Sequence, residues 1–164
     1  MNELYLSLGS NIGERLNFIE DAITLINSKV GTVIKKACIY ETPPWGFESS
    51  PFLNTCICIK SKFSTKEILT RLQAIEKELG RKEKTKKGYE SRPIDIDIIY
   101  ASEGIFNTSN LVVPHPLMQE RKFVLIPLLD IAKSYLHPLL HVDTETLLIQ
   151  CKDDATISLF KSSN

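Results

Sequence analysis

The segment Arg92–Tyr100 constrains the fold of this chain more than any other stretch of its sequence. Its apolar and acidic side chains alternate with a period of two, and that pattern predicts a β-strand. Because residues i and i+2 of a strand point to the same side, the isoleucines at alternate positions from Ile94 to Ile98 should face a core. Asp95 and Asp97 should then share the opposite face of the strand.

Two carboxylates on one strand face suggest that a cation lies between them. Neighbouring carboxylates repel each other unless a positive charge separates them. A hard divalent cation such as Mg²⁺ takes carboxylate oxygens and usually shares its shell with phosphates. The alternative is the solvated face of a half-buried strand, although aspartate is disfavoured in strands. The local pattern leaves both interpretations open, and the first points to metal-assisted chemistry on a phosphorylated substrate.

The composition is that of one ordinary globular domain, which we place over residues 1–164. Apolar residues make up 43% of the chain and charged residues 24%, with a net charge of zero. We therefore expect no electrostatic binding to nucleic acid. No apolar run is long enough for a transmembrane helix, and the N-terminus lacks the features of a signal peptide. The cysteines lack the CxxC spacing of zinc sites, so we expect reduced thiols and a cytoplasmic location.

The order of predicted elements is β-α-β-β-α-β. Strand patterns cover residues 4–8, 33–41, 52–60 and 92–100, with helical patterns after the first and third. Ser64 and Glu67 form a capping box that opens the second helix. This order predicts an α+β, ferredoxin-like fold, in which two helices pack on one face of an antiparallel sheet. A small hairpin near residues 105–113, a helix over Phe123–Ala132 and a weakly patterned tail would form a C-terminal extension.

A long basic loop leads into the strand with the two aspartates. Residues 81–92 hold six basic side chains against two acidic ones, in a neutral protein. Loops of this length between a helix and a strand are often lids or binding loops. Arginine suits bidentate phosphate binding, and lysine supplies a mobile charge. The alternative is a solvated charge run, and proximity to the acidic pair favours the functional interpretation.

Two further segments are candidates for ligand contacts. Residues 42–47, with Phe52 and Asn54 just after them, combine stiff prolines, aromatic rings and one amide, which suits a flat heterocycle. The alternative is that these aromatics cap a core. His115, between two prolines, could contact phosphate or move a proton, although a lone histidine is more often structural. The glycine pair in residues 9–13 predicts a tight turn with a helix N-cap, because the spacing of a phosphate-binding loop is absent.

Together these motifs resemble 6-hydroxymethyl-7,8-dihydropterin pyrophosphokinases in order and spacing over residues 3–133. That family has a ferredoxin-like fold and a one-domain form of about this size. The tail over residues 134–164 diverges from the family pattern. The motifs that carry the resemblance are Gly9-Ser10-Asn11, Tyr40-Glu41-Thr42-Pro43-Pro44, Phe52-Leu53-Asn54, Glu76 with Gly80-Arg81, Arg92-Pro93-Ile94-Asp95-Ile96-Asp97, Val113-Pro114-His115-Pro116 and Arg121-Lys122-Phe123.

The resemblance implies transfer of the terminal pyrophosphoryl group of ATP to the hydroxymethyl oxygen of the pterin. The products would be AMP and the pterin diphosphate, a folate precursor. The pterin oxygen would attack the β-phosphorus in line, without a covalent enzyme intermediate, so that catalysis is mainly positioning and charge neutralisation. The partners would be these two small molecules only, and we expect a monomer that binds neither nucleic acid nor membrane.

The resemblance also implies the roles of particular residues. Two Mg²⁺ ions would bind Asp95 and Asp97, and Asn54 would hydrogen-bond the edge of the pterin ring. The catalytic residues would be Arg81, Lys84, Arg92, Asp95 and Asp97. The ATP-binding residues would be Gln73, Glu76, Arg81, Arg92, Ile98, His115 and Arg121. The pterin-binding residues would be Thr42, Pro43, Pro44, Trp45, Phe52, Asn54, Tyr89, Asp95 and Phe123.

The basic loop departs from the family pattern at the second of its arginines. Glu83 or Lys84 occupies that position, depending on the direction of counting, and lysine is a weaker bidentate phosphate ligand than arginine. Tyr89 stands where a tryptophan is expected. Two rival functions remain at this point: a ferredoxin-like RNA-binding module, which would not need paired acids, and a degenerate kinase that binds ATP as a regulator.

Overall fold

The computed structural model describes residues 1–43, 50–80 and 93–161 of the chain. The elements within these ranges are mostly strands in the first two thirds of the chain, interrupted by two helices, and are mixed in the last third. They are β1 (Asn2–Ser10), α1 (Arg15–Lys29), β2 (Thr32–Lys36), β3 (Ile39–Thr42), β4 (Phe52–Ser61), α2 (Thr65–Glu78), β5 (Asp95–Ala101), β6 (Phe106–Asn107), β7 (Val112–Val113), a 3₁₀ turn (Met118–Glu120), α3 (Lys122–Ala132), α4 (Thr144–Gln150) and β8 (Ser158–Lys161).

The main sheet is antiparallel and has the order β5-β1-β4-β3-β8, with β2 also paired to β4. Its central part is the predicted ferredoxin-like arrangement, in which β1 lies between the last core strand and β4. The α+β class and the predicted fold are therefore confirmed. The small hairpin is also present, as β6 paired with β7.

The predicted single strand over residues 33–41 is two strands instead. Both β2 and β3 pair with β4, and the chain breaks its ladder at Ala37 and Cys38. The Thr55 hydroxyl donates to the carbonyls of both residues, at 3.3 and 3.0 Å. The Cys38 N–H donates to Asp130 Oδ2 on α3, at 3.1 Å. Side chains from elsewhere thus satisfy three backbone groups at the break, while the Ala37 N–H still donates to the Cys56 carbonyl of β4, at 2.9 Å.

One face of the sheet packs against α1 and α2. The alternating leucines of β1 and the isoleucines of β4 and β5 meet the buried faces of these helices. Helix α2 begins as predicted, because the Ser64 side chain accepts a hydrogen bond from the Glu67 N–H at 3.2 Å. Burial of this apolar face stabilises the α1–α2 layer more than helix propensity does. The buried residues include Leu4, Leu6, Leu8, Ile19, Ile26, Ile57, Ile59, Ile68, Leu72, Ile75, Ile94, Ile96 and Ile98.

The other face of the sheet is partly covered by α3 of the C-terminal extension, whereas the two core helices lie on one face, as predicted. Tyr5, Cys56 and Cys58 of the sheet contact Val124, Leu125 and Leu128 of α3 in a second buried cluster. The register between β1 and β5 shifts between Tyr5 and Leu6, which leaves one extra residue in β5. As a result both Ile99 and Tyr100 belong to this second cluster, whereas strict alternation would have turned one of them away.

The C-terminal extension is ordered against the domain. Helix α4 packs in the second cluster through Leu147, and the Asp143 side chain caps its start by accepting from the Thr146 N–H at 2.8 Å. Strand β8 then adds to the edge of the sheet beside β3. In the part of the chain that the structure describes, no helix is both long and apolar enough to cross a bilayer.

Candidate active site

Strand register brings the predicted polar residues into adjacent positions on one face of the sheet. Gly9 of β1 is paired with Asn54 of β4 on one side and with Asp95 of β5 on the other. Two residues away from Gly9 along β1, Ser7 is paired with Asp97. Because paired residues of an antiparallel sheet project to the same face, Asn54 and both aspartates lie on the face opposite the α1–α2 core. Asp95 and Asp97 are half-buried there, as the alternation of the sequence predicts.

The Asn54 carboxamide is buried and held in one orientation. The Thr42 hydroxyl donates to Asn54 Oδ1 at 2.6 Å. The amide nitrogen lies over Gly9, since a Cβ added to Gly9 would be 3.0 Å from Asn54 Nδ2. An amide fixed in this way presents a defined donor and acceptor pattern, which suits the edge of a flat heterocycle.

The sequence interpretation missed the role of Gly9. We expected a tight turn with an N-cap over residues 9–13, but Gly9 is a residue of β1, and only Gly13 has a positive φ in this segment. The N-cap position of α1 is Glu14, whose side chain makes no capping hydrogen bond. The missing side chain of Gly9 instead leaves space for Asn54. The pairing of β1 with β4, which a local pattern does not reveal, was the signal needed to find this.

The ends of β3 and β4 form the side of the site next to Asn54. Thr42, the last residue of β3, is paired with Phe52, the first residue of β4. Both side chains therefore lie on the same face as Asn54. Pro43 follows and is exposed. Three predicted pterin contacts are thus brought together by the β3–β4 pairing.

Glu76 attaches α2 to the strand with the aspartates. Its side chain is 5% exposed, and Oε2 accepts a hydrogen bond from the Ile96 N–H at 2.9 Å. Ile96 lies between Asp95 and Asp97, so this hydrogen bond holds the backbone that carries both of them. Gln73 lies on the exposed side of the same helix. For both residues the predicted contact with a nucleotide stays a prediction.

His115 is a neutral hydrogen-bond donor at this site. Its Nδ1 accepts from the Leu117 N–H at 3.2 Å, so the proton of the neutral ring is on Nε2. Burial, with help from the Arg121 charge, lowers the pKa of His115 to about 4, against an opposing effect of Asp95. The His115 backbone N–H donates to Ile99 O of β5, at 3.1 Å, which attaches this loop to the sheet.

Arg121 and Phe123 meet where α3 begins. The Arg121 guanidinium carbon is 5.7 Å from the centre of the Phe123 ring. Both side chains are half-buried, and Phe123 packs against the second buried cluster, which lies between the sheet and α3. Ile98, the other predicted nucleotide contact on β5, has its side chain in the α1–α2 core, so only its backbone remains for a ligand. The predicted site residues Pro44, Trp45, Arg81, Lys84, Tyr89 and Arg92 lie outside the described residues.

The donor set at Asp95 and Asp97 fits a hard divalent cation. Two carboxylates share one half-buried strand face, and both offer oxygen ligands. Within residues 1–43, 50–80 and 93–161, no group of three or more histidine, cysteine or acidic side chains could form a complete metal cage. A pair of carboxylates suits an ion that takes several of its ligands from water or phosphate, as Mg²⁺ does.

Comparison with known proteins assigns the family. Residues 5–133 match the family described as 7,8-dihydro-6-hydroxymethylpterin-pyrophosphokinase (HPPK). A 2-amino-4-hydroxy-6-hydroxymethyldihydropteridine pyrophosphokinase of Porphyromonas gingivalis is 45% identical over 138 residues, which is 82% of this chain and 93% of that protein. Proteins of the same name from Bacillus subtilis and Aquifex aeolicus are 41% and 39% identical, over 81% and 85% of this chain and 80% and 86% of their own lengths. This chain belongs to the HPPK family.

The solved structures agree with the fold. A Plasmodium falciparum HPPK-DHPS chain crystallised with SDX-DHP has a TM-score of 0.76 and 16% identity, and a structure of HPPK-DHPS in complex with substrates has a TM-score of 0.73. Both matches cover 91% of this chain but only 45% and 43% of the solved chains, so this chain spans less than half of them. At this identity the likeness shows the fold alone.

Family membership makes the protein an enzyme, a pyrophosphokinase, which is a diphosphotransferase of folate synthesis. The predicted family and enzyme class are therefore confirmed. Family membership supports the enzyme over the RNA-binding alternative.

Proposed function

We propose that this protein transfers pyrophosphate from ATP to the hydroxymethyl oxygen of 6-hydroxymethyl-7,8-dihydropterin and releases AMP and the pterin diphosphate. The observation that carries the proposal is the row formed by Asn54, Gly9 and Asp95. Neighbouring strands are about 5 Å apart, so Asn54 and Asp95 are separated by about 10 Å across the sheet. A bicyclic heterocycle that bonds Asn54 with one edge would direct a short substituent towards the aspartates.

The heterocycle would bind between Asn54 and the aromatic residues around it. The Thr42 hydroxyl orients the Asn54 amide, and Phe52 lies beside them. A buried amide that must be paired discriminates strongly against analogues without the matching groups. Phe123 and Tyr89 would stack on the ring. Pro43, Pro44 and Trp45 would complete the pocket, with Asp95 near the hydroxymethyl group.

The phosphates would bind on the aspartate side of the site. Asp95 and Asp97 would hold two Mg²⁺ ions, and these ions would neutralise the phosphate charge and favour loss of the hydroxyl proton. Neutral His115 can donate from Nε2 to a phosphate oxygen, and Arg121 adds a positive charge near it. The remaining ATP contacts would come from Gln73, Glu76 and the backbone of Ile98. From the basic loop, Arg81, Lys84 and Arg92 would contribute charge.

Direct transfer fits the state of the buried thiol on this face. Cys56 is paired with Ser7, which is paired with Asp97 on its other side, but burial raises the pKa of the Cys56 thiol well above the usual range. Its Sγ also donates to the Val124 carbonyl, at 3.7 Å. A thiol held protonated in this way is a poor nucleophile. Cys56 is therefore no candidate for a covalent intermediate, and we propose attack by the pterin oxygen itself, with the protein supplying position and charge. We further propose that the protein acts as one domain over residues 1–164 and as a cytoplasmic monomer.

Product analysis tests the proposal. The protein would be mixed with ATP, Mg²⁺ and the pterin, and the nucleotides and pterins separated by chromatography. AMP and pterin diphosphate formed only when pterin and Mg²⁺ are both present would support it. Formation of ADP would contradict it, because the pterin would then have received one phosphoryl group. Tight binding of ATP without any turnover would contradict it in favour of the regulatory alternative.

A further inference from the structure

Arg15 joins the two strand ends next to the proposed pterin site. It is the first residue of α1, and its Nη1 donates to Glu41 Oε2 at 2.9 Å and to the Pro51 carbonyl at 2.8 Å. Glu41 directly precedes Thr42, and Pro51 directly precedes Phe52. One nitrogen atom therefore bridges the residues that flank the last pair of the β3–β4 ladder.

Arg15 lies behind this ladder and not on the face that would bind the ligand. Glu41 is paired with Leu53, a residue of the α1–α2 core, and so projects to that side of the sheet. Thr42, one residue on, projects to the opposite side. Arg15 therefore cannot reach a heterocycle bound beside Asn54, and any effect on it must pass through the backbone of β3 and β4.

The contact is shielded enough to matter energetically. The Arg15 and Glu41 side chains are 23% and 34% exposed, so their pairing is screened less than that of an ion pair at the open surface. The Arg15 guanidinium carbon lies over the ring of Phe160, 5.7 Å from its centre. Phe160 belongs to β8, which pairs with β3 and lies outside residues 5–133 that match the family.

We propose that Arg15, covered by Phe160 of the C-terminal strand, is a positioning residue for the pterin side of the site. By joining Glu41 to Pro51 it keeps the end of the β3–β4 ladder closed, and so keeps Phe52 and the Thr42–Asn54 pair in register. The inference rests on the proposed function, because it assumes that these residues bind the pterin. The proposal also assigns the divergent tail a role in substrate binding.

The test compares Arg15→Ala with a matched change on the same helix. Lys29 of α1 forms an ion pair with Glu78 at 3.0 Å, but both side chains are about half exposed and far along the helix from Arg15. We expect Arg15→Ala to weaken pterin binding about five- to tenfold, the effect of losing charge-assisted hydrogen bonds that hold a site. In Arg15→Ala the affinity for ATP should change less than about twofold. In Lys29→Ala the affinities for pterin and for ATP should both change less than about twofold. Arg15→Lys, which keeps a cation beside Glu41, should recover part of the pterin affinity.

Direct titration of the pterin, with and without a non-hydrolysable ATP analogue, is the main readout. Phe160→Ala should shift pterin affinity in the same direction as Arg15→Ala, but less. Equal loss of pterin and ATP affinity in Arg15→Ala, or equal effects of Arg15→Ala and Lys29→Ala, would overturn the inference and leave Arg15 a general stabiliser. A wild-type protein that binds pterin but forms no AMP would refute the proposed function, and the titration would still decide the role of Arg15.

Discussion

The substitution Gly9→Ala, which adds a single methyl group, should weaken pterin binding with little effect on the stability of the fold. In Gly9→Ala the new Cβ would be 3.0 Å from Asn54 Nδ2 and 3.8 Å from Phe52 Cδ1, whereas ordinary contacts begin at 3.4 Å. The Asn54 amide must therefore move by a few tenths of an ångström. Its partner Thr42 holds it at 2.6 Å, so the movement either stretches that bond or turns the amide away from a bound ring.

The expected loss follows from one misplaced hydrogen bond. An unmade bond to a buried polar group costs about 1–3 kcal/mol. That range corresponds to a loss of pterin affinity of about 5- to 150-fold. Apart from the cost of stretching the Thr42–Asn54 bond, stability should change little, because Gly9 is extended within β1 and alanine adopts that conformation freely. Removing a glycine also stabilises a fold by about 0.4–1 kcal/mol through the unfolded chain, which offsets the local crowding.

Gly31→Ala is the matched control for this experiment. A Cβ at Gly31 would be 2.6 Å from the Lys60 carbonyl oxygen and 2.9 Å from Ser61 Cβ, so the clash is with backbone that cannot move easily. We expect this variant to lower the free energy of unfolding and to leave the pterin affinity of the folded protein nearly unchanged. Urea denaturation and pterin titration of both variants give the comparison. Unchanged pterin affinity in a folded Gly9→Ala protein would refute the assignment of Asn54 to the ligand edge.

Three further predictions test other parts of the site. Asp97→Asn keeps the size of the side chain but removes its charge, so we expect turnover to fall at least ~100-fold while the midpoint of urea denaturation is retained. Near-normal turnover in a coupled AMP assay would show that Asp97 does not belong to the metal site. Glu76→Ala leaves the buried Ile96 N–H without its partner, so we expect stability to fall by about 1–3 kcal/mol and turnover to fall with it. Glu76→Gln should retain most of the stability and most of the turnover. Equal stability of the wild type and both variants would show that the bond to Ile96 contributes nothing. His115 has a pKa of about 4 in the folded protein and about 6.5 when unfolded. Between pH 6.5 and pH 4 the unfolded chain therefore binds more protons than the folded one, and stability should fall as the pH drops through this range. Urea denaturation at pH 7 and pH 5 should show a larger loss for the wild type than for His115→Gln, and parallel losses would contradict the pKa.

The sheet face of the acidic pair and the start of α2 could be predicted because both depend on local patterns. A period of two assigns Asp95 and Asp97 to one side wherever the strand lies in the sheet. Ser64 caps α2 through a bond to Glu67, three residues away in the sequence. Motif order then led to the family, which the comparisons confirm. The prediction of the ligand roles still awaits experiment.

Other features depend on residues that are distant in sequence. The break between β2 and β3 results from Thr55 and Asp130, which no inspection of residues 33–41 reveals. The low pKa of His115 arises from burial and from Arg121, and so exists only once the loop has packed. The tail looked weakly patterned because β8 is stabilised by pairing with β3 and not by its own sequence.

The sequence by itself determined which side chains could share a face, where helices could begin and which family the chain belongs to. Only the tertiary structure decided that Gly9 lies beneath Asn54 and that Arg15 joins Glu41 to Pro51. The physical reason is that strand register and burial are set by contacts across the sheet, which act between residues far apart along the chain.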